Sequence, residues 1–288
     1  MYAILTIAAV FLLRPSGFLN DPTGQITLIK SLSFLPVNPS TPPYFGLAYG
    51  LGWTLNFEMY FYAILGISLL AKNYRWPVFY SWIFITIVAI LLTATGMISL
   101  SAKHDYQLSL IYLNRIANPI ILLFVAGVIT GKLYLSEFVI KNKTYAQALS
   151  ALTVLVALAW AYSGIPDFHG MLGWGLPITV AFLTVAIASK TLKFNPPRWI
   201  IWIGEISYSL YLTHRLTQVS CTKILEFIGA ESFGKTWLFV ILTTLLSILM
   251  ASIFYYLVEK KIAVALQRLT KSRTTNRSGV TANGREHS

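Results

Sequence analysis

The chain has 288 residues, of which 56% are hydrophobic and 11% charged, and its formal net charge is +12. A soluble domain usually carries about 25% charged residues, so the composition excludes an ordinary soluble protein. The mean hydropathy is +0.66, and apolar runs of about 20 residues, each long enough to cross a bilayer, recur along the chain. These features predict an all-α, polytopic transmembrane helical bundle. The one cysteine, Cys221, cannot form an internal disulfide.

Eight spans are predicted, with uncertain ends, at about 1–13, 52–70, 77–99, 114–133, 146–164, 171–190, 199–220 and 237–258. No cleavable signal peptide is predicted, because no basic segment precedes the first span. That span begins abruptly at Met1, which is what an N-terminally shortened chain would look like. Lys and Arg concentrate in alternate loops and in the C-terminal tail. The positive-inside rule therefore predicts that both termini are cytoplasmic, and it assigns the positive charge to topology and not to nucleic-acid binding.

Residues 1–262 are predicted to form one transmembrane domain. Residues 263–288 are polar and basic, and we expect a disordered cytoplasmic tail that touches anionic lipid headgroups. The longest loop, residues 14–50, lies on the predicted outer side and is interpreted either as a cap over the substrate or as a linker.

Two outer loops carry histidine beside or near aspartate, His104 with Asp105 and Asp167 with His169. Neither pair has the spacing of a metal site. No metal is predicted, and both histidines are expected to be solvated loop residues.

A carboxylate lies inside the second predicted span, within the string Trp53 to Tyr62. Placing the Glu58 carboxylate inside the membrane costs free energy unless another group pairs with it or it has a function, and a functional role is therefore favoured. On a helix, Thr54, Glu58 and Tyr62 fall at i, i+4 and i+8, so a hydroxyl, a carboxyl and a phenol line one stripe.

The seventh predicted span carries a second polar stretch, and one of its helical faces holds Gly204, Ser207, Tyr211 and His214, flanked by Tyr208. That face is expected to point into the bundle or a wet cavity. Glu58 and His214 each lie about six residues, or roughly 9 Å, below the predicted outer boundary. A shared cavity is therefore possible, although the sequence alone does not bring the two helices together. Structural roles, as helix contacts or interfacial aromatic residues, are the alternative for the serines and tyrosines.

The two stretches together resemble the membrane acyltransferase 3 family, integral-membrane O-acyltransferases of cell-surface sugars. Its first motif is matched by Trp53, Thr54, Leu55, Glu58, Phe61 and Tyr62. With Gly52 and the string Ser33-Phe34-Leu35-Pro36, the chain is most similar to the exopolysaccharide-production acetyltransferases of that family. The segment from Gly204 to His214 is similar to a second motif, Phe124 and Gly127 fit a weaker middle one, and Phe254–Lys260 resembles the closing one.

The resemblance implies ten spans, and this chain is similar to the family only from the third span onward. The arginine of the first span, and the histidine there that is held to be catalytic, are expected to be missing from it. An inactive, truncated relative is therefore one alternative, and translation of the DNA upstream of Met1 would test it.

The resemblance implies transfer of an acyl group, expected to be acetyl, from acyl-CoA to a hydroxyl of an exported polysaccharide or its lipid-linked precursor at the bacterial inner membrane. No bound cofactor is expected, and membrane lipids are the other partner. Glu58 and His214 are assigned to catalysis, and the residues assigned to substrate binding are Trp53, Thr54, Tyr62, Ser207, Tyr208 and Tyr211. The alternative from another class is a glycan or small-solute transporter or flippase, ranked second because no internal repeat is evident.

Overall fold

The computed structural model describes residues 1–15, 17–38, 40–164, 169–192, 195–265 and 267–268. Helices joined by loops make up these residues, and no strand occurs among them. The predicted all-α class is confirmed.

The helices are numbered here in chain order. They are α1 (Tyr2–Leu13), α2 (Pro22–Leu32), α3 (Gly52–Leu70), α4 (Lys72–Thr95), α5 (Ile111–Ile116), α6 (Ile121–Leu135), α7 (Lys143–Tyr162), α8 (Met171–Leu192), α9 (Arg198–Phe227) and α10 (Trp237–Ala265).

Four helices of the described chain, α4, α7, α8 and α10, are long and apolar enough to cross a membrane. The apolar helices α1 and α6 are shorter, at 12 and 15 residues. The motif helices α3 and α9 have 19 and 30 residues, but polar side chains lower their hydropathy. These helices indicate a multi-pass membrane protein, whereas the count of eight spans and the cytoplasmic termini stay predictions.

The structure corrects the predicted span 114–133, because two helices, α5 and α6, take its place. They are separated at Asn118 and Pro119. Proline lacks a backbone N–H and disfavours helical geometry in the residue before it. The Asn118 side chain bonds across the break: its Oδ1 accepts from the Ile120 N–H at 3.0 Å, and its Nδ2 donates to the Ala102 carbonyl at 2.8 Å.

The C-terminal boundary also differs from the prediction. Helix α10 continues to Ala265, so the predicted start of the tail at residue 263 falls inside a helix. Residues 269–288, most of the predicted tail, lie outside the described residues, as does Asp167.

The chain divides into two compact units, Gly17–Asn195 and Met1–Ser16 with Pro196–Ser288. In the first unit, α3 to α6 enclose an apolar core to which α3 contributes Tyr60, Phe61 and Ile64. Those positions recur at helical spacing, so one stripe of α3 is buried. The second unit consists of α1, α9 and α10. Small residues of α10, Thr243, Ser247 and Ala251, are buried in it at four-residue spacing, which allows close helix packing.

A buried arginine fastens the loop before α3 to α5. Arg115 is 3% exposed, its Nη1 donates to the carbonyl of Phe34, and its guanidinium lies 4.5 Å from the ring centroid of Tyr112. The cation thus holds the string Ser33–Pro36, one of those that carry the family resemblance.

Asn118→Ala is expected to lower the free energy of unfolding by about 1–3 kcal/mol, because it leaves a buried carbonyl and a buried N–H without their side-chain partner. Asn118 is 1% exposed, so water cannot readily replace the amide. Denaturation of the purified protein in detergent measures the change.

Ser150→Ala is the matched control. The Ser150 hydroxyl is buried without a hydrogen-bond partner among the described residues, so its removal breaks no hydrogen bond and should not lower the free energy of unfolding. If both variants match the wild type, the Asn118 side chain does not hold the α5–α6 break.

Candidate functional site

The predicted stripe of polar side chains is present on α3. The Tyr62 hydroxyl donates a 2.6 Å hydrogen bond to Oε1 of Glu58, one helical turn away. The Thr54 hydroxyl donates to the carbonyl of Leu51 at 3.3 Å. Glu58 is half-buried and Tyr62 is exposed. Within the described residues, the partner found for the Glu58 carboxyl is therefore a phenol, which stabilises a carboxylate without neutralising its charge.

Trp53 lies at the centre of an aromatic cluster at the start of α3. Its ring centroid is 5.3 Å from that of Tyr44, 6.2 Å from that of Phe57 and 5.2 Å from that of His169. Edge-to-face geometry, with interplanar angles of 81° and 83°, fixes the indole against Tyr44 and Phe57. The indole orientation is therefore set before any ligand arrives.

The same rings line an open cleft of about 400 Å³ in the unit Gly17–Asn195. We call it the Trp53–Trp174 cleft. Its lining includes Trp53, Thr54, Phe57, Phe124, His169 and Trp174. A volume of this size falls within the range of small-molecule sites, which are mostly apolar with a few polar groups.

Glycines shape the wall of the cleft where α8 begins. Gly175 donates its N–H to the Gly170 carbonyl at 2.9 Å, and a Cβ at Gly175 would lie 2.6 Å from that oxygen. Any larger residue would force the backbone apart. The Gly173 carbonyl accepts a 2.9 Å hydrogen bond from the Trp160 indole of α7. The wall is thus held by a neighbouring helix.

His169 is exposed, as a solvated loop residue should be, but that expectation is incomplete because its ring also packs against Trp53 and Tyr44. Partial burial, and then the positive charge of Lys103, lower the pKa of His169 below its usual value. Its imidazole is therefore mainly neutral at pH 7 and has one nitrogen that accepts a hydrogen bond.

The sequence reasoning missed the α8 wall of this cleft. A signal was present, since the entry to an apolar helix reads Gly170-Met171-Leu172-Gly173-Trp174-Gly175. Glycines on both sides of a tryptophan indicate a close backbone approach beside a large ring. What the sequence does not show is that this ring lines the same space as Trp53.

On α9, the structure packs a different face from the one predicted. The buried residues are Ile206, Ser209, Leu212 and Thr213. Ser207 and Tyr208 are exposed, and Tyr211 and His214 are half-buried. Packing of the Ser207 face into the bundle is not observed, because apolar Ile206 and Leu212 decide which side of the helix is buried. The other position expected for that face, lining a wet cavity, stays a prediction. The binding roles of Ser207, Tyr208 and Tyr211 stay predictions.

The tautomer of His214 follows from its contacts. Its Nδ1 lies 2.8 Å from the carbonyl of Tyr211 and 3.1 Å from that of Leu210. Carbonyl oxygens only accept, so in the neutral ring Nδ1 carries the proton and Nε2 carries the lone pair. Nε2 is therefore the basic atom that His214 presents.

A second polar pair joins two of the motifs. The buried Ser209 hydroxyl donates a 2.7 Å hydrogen bond to Oε2 of Glu259 in the closing motif. Residues Tyr255–Glu259 form a turn of π-helix, a distortion that often accompanies functional sites. The sequence pattern did not predict the Ser209–Glu259 bond.

The predicted site residues are divided between the two units. Trp53, Thr54, Glu58 and Tyr62 belong to Gly17–Asn195, and the α9 residues belong to the other unit. A meeting of Glu58 and His214 in one cavity stays a prediction. Among the described residues, no three His, Cys, Asp or Glu side chains are grouped to hold a metal ion.

Comparison with known proteins now adds to this geometry. The acyltransferase 3 family model, described as an acyltransferase domain, matches residues 1–256. The chain belongs to this family. It is 30% identical over 201 residues to the exopolysaccharide production protein ExoZ of Rhizobium meliloti (strain 1021), an alignment that covers 67% of this chain and 57% of that protein. The chain thus spans little more than half of that relative. No solved structure matches it significantly.

The bond between Ser209 and Glu259 is expected to couple α9 to α10 energetically. In a double-mutant cycle of Ser209→Ala and Glu259→Gln, we expect a coupling free energy of about 1–2 kcal/mol, because a hydroxyl donating to a carboxylate is stronger than a neutral pair. Unfolding in detergent supplies the four free energies.

Thr222→Ala replaces Ser209→Ala in the control cycle, since the exposed Thr222 hydroxyl bonds the Gln218 carbonyl of its own helix. A coupling near zero is expected there. Equal coupling in the two cycles would rule out a specific Ser209–Glu259 interaction.

Proposed function

We propose that this acyltransferase moves an acyl group, specifically acetyl, from acyl-CoA to a hydroxyl of an exported polysaccharide or its lipid-linked precursor, at the inner membrane of a bacterium. Membership of the acyltransferase 3 family supports the reaction class. The relative named as an exopolysaccharide production protein supports the kind of acceptor. Acyl-CoA is then a co-substrate, and no bound cofactor, metal or nucleic acid takes part.

The observation that carries the proposal is the hydrogen-bonded pair of Glu58 and Tyr62 on α3. O-acylation needs a group that takes the proton of the sugar hydroxyl as its oxygen attacks the thioester carbonyl. A half-buried carboxylate bonded to a phenol suits that task, because the phenol orients one oxygen. The new C–O bond replaces the C–S bond, and the proton passes to the departing thiolate of CoA.

His214 is the second group proposed for proton handling. Its Nδ1 is held by backbone carbonyls, so Nε2 is the atom that would exchange the proton. Trp53 and Thr54 would contact the acceptor, and Tyr62 would orient Glu58. Ser207, Tyr208 and Tyr211 would bind substrate, and a tyrosine hydroxyl is a suitable donor to the oxyanion that forms on the thioester.

Glu58→Gln is expected to lower acyl transfer at least about 100-fold, the size of a typical general-base contribution. The amide keeps the shape of the side chain and can still accept from Tyr62, but it cannot take a proton. The assay uses the full gene product in membrane vesicles, with radiolabelled acetyl-CoA and the polysaccharide of the host. Acetyl esters on polysaccharide exported by complemented deletion cells give a second readout.

Met59→Leu is the matched control, because Met59 is exposed on a neighbouring face of α3 and the change keeps its volume. Its activity should equal that of the wild type. Tyr62→Phe should fall between the two, since it removes the orienting bond but keeps the carboxylate. Full acetylation by Glu58→Gln at wild-type protein levels would refute the role of Glu58.

A further inference from the structure

We infer that the Trp53–Trp174 cleft is the subsite that holds one sugar ring of the acceptor, and that His169 binds a hydroxyl of that ring. The inference rests on the proposed function and adds to it a location and two residues, His169 and Trp174, that none of the family motifs described above includes. It concerns acceptor binding and is separate from the chemistry assigned to Glu58.

The first reason is the kind of surface that lines the cleft. Indole and phenyl rings from α3, α6 and α8 surround it, with Trp53 and Trp174 among them. Flat aromatic side chains can stack on the apolar C–H face of a pyranose ring. The hydroxyls of the sugar then point outward from its edge. Trp174 is 37% exposed, so part of its ring remains accessible to a ligand.

The second reason is the position of the polar groups. The hydroxyls of Thr54 and Thr179 and the ring of His169 are the polar side chains of the lining. These polar side chains are few among the aromatic and aliphatic residues of the lining. A sugar in the cleft would therefore place its flat faces against carbon atoms, and the hydroxyls at its edge would have hydrogen-bonding groups to contact. A neutral imidazole both donates and accepts, which suits a hydroxyl.

The third reason is the distance to the proposed chemistry. Thr54 lines the cleft, and Glu58 follows it one helical turn later, about 6 Å along α3. A ring in the cleft would therefore contact the helical turn that precedes Glu58, and the sugar linked to it is the one proposed to reach the carboxylate. Trp53 and His169 also lie at the end of the unit that is predicted to face outward, where an exported glycan would be.

The fourth reason is that the cleft is already formed. Gly175 and Gly170 fix one wall through a hydrogen bond that tolerates no side chain at Gly175. Trp160 of α7 donates a hydrogen bond to the same wall. Phe57, which is 0% exposed, packs edge-to-face against Trp53. Binding a weakly interacting sugar is favoured by such preorganisation, because little side-chain entropy remains to be lost.

An alkyl chain is the competing occupant, because most of the lining is apolar. The two occupants differ in what they need from the walls. An alkyl chain only needs apolar volume, and leucine supplies that as well as tryptophan does. A sugar needs the flat ring and the imidazole. Trp174→Leu and His169→Ala therefore separate the two.

The experiment uses the full chain in lipid nanodiscs free of sugar detergents. The probes are methyl β-D-glucopyranoside and cellobiose for the sugar, and decanoate for the alkyl chain. Saturation-transfer NMR and tryptophan fluorescence measure binding without any acyl donor. We expect saturable binding of at least one glycoside, about tenfold weaker in Trp174→Leu and about fivefold weaker in His169→Ala, which loses one hydrogen bond.

Trp237→Leu is the control, because Trp237 is 83% exposed and lies on α10, outside the cleft. It should leave glycoside binding unchanged. Trp53→Leu is a second variant at the opposite wall, so that misfolding of one variant does not decide the result, and a thermal melt is recorded for each. Decanoate binding that survives Trp174→Leu, with no saturable glycoside binding in the wild type, would overturn the inference in favour of an alkyl chain.

Acyl transfer by the same variants separates this inference from the proposed function. If the cleft holds the acceptor, Trp174→Leu raises the KM for polysaccharide about tenfold and leaves kcat nearly unchanged. An unchanged KM in an active enzyme overturns the inference and leaves the proposed function intact. Glycoside binding that depends on Trp174 in a protein without transfer activity supports the subsite and refutes the proposed function.

Discussion

A polar side chain inside an apolar helical bundle needs a partner within the protein, because lipid provides none. The motif residues of this chain satisfy that need with one another. Tyr62 donates to Glu58 within α3, and Ser209 of α9 donates to Glu259 of α10. In each pair a hydroxyl donates to a carboxylate. Glu58 lies within the residues that the family model matches, and Glu259 lies in the segment Phe254–Lys260 that resembles the closing motif of the family. A substrate hydroxyl that approaches such a carboxylate therefore competes with, or joins, a bond that already exists.

Three residues of the unit Gly17–Asn195 have buried polar atoms that do not meet this requirement within the described chain: Asn56, Arg115 and Ser150. Both amide atoms of Asn56, 0% exposed, and the Nε of Arg115 have no hydrogen-bond partner there. Each unsatisfied group costs about 1–3 kcal/mol. Asn56 lies between Trp53 and Glu58 in the first motif, and Arg115 holds the string before α3. The motif region is thus built at a cost in stability, as functional regions often are.

How much of the structure the sequence predicts depends on whether the interacting residues lie close together along the chain. The Glu58–Tyr62 pair follows from a spacing of four residues, and the helices α7, α8 and α10 follow from apolar runs. The break at Pro119 was mispredicted, because proline chemistry outweighs span length. The packed face of α9 is set by Ile206 and Leu212, which the pattern of polar residues does not show. The cleft was missed because Trp53 and His169 are more than 100 residues apart, and only tertiary packing brings their rings to 5.2 Å.

Helix α3 carries the residues proposed for binding and the residue proposed for chemistry. Trp53, Thr54 and Glu58 lie within about its first two turns, and the backbone positions of Trp53 and Glu58 are about 7.5 Å apart along the axis. Phe57, packed against Phe45 and Trp53, prevents that segment from rotating, since any rotation would carry Phe57 out of the core. In the proposed function, a sugar ring held against Trp53 would lie at a fixed distance from the carboxylate, so the cost of orienting its hydroxyl would be met when the helix folds, before the substrate binds.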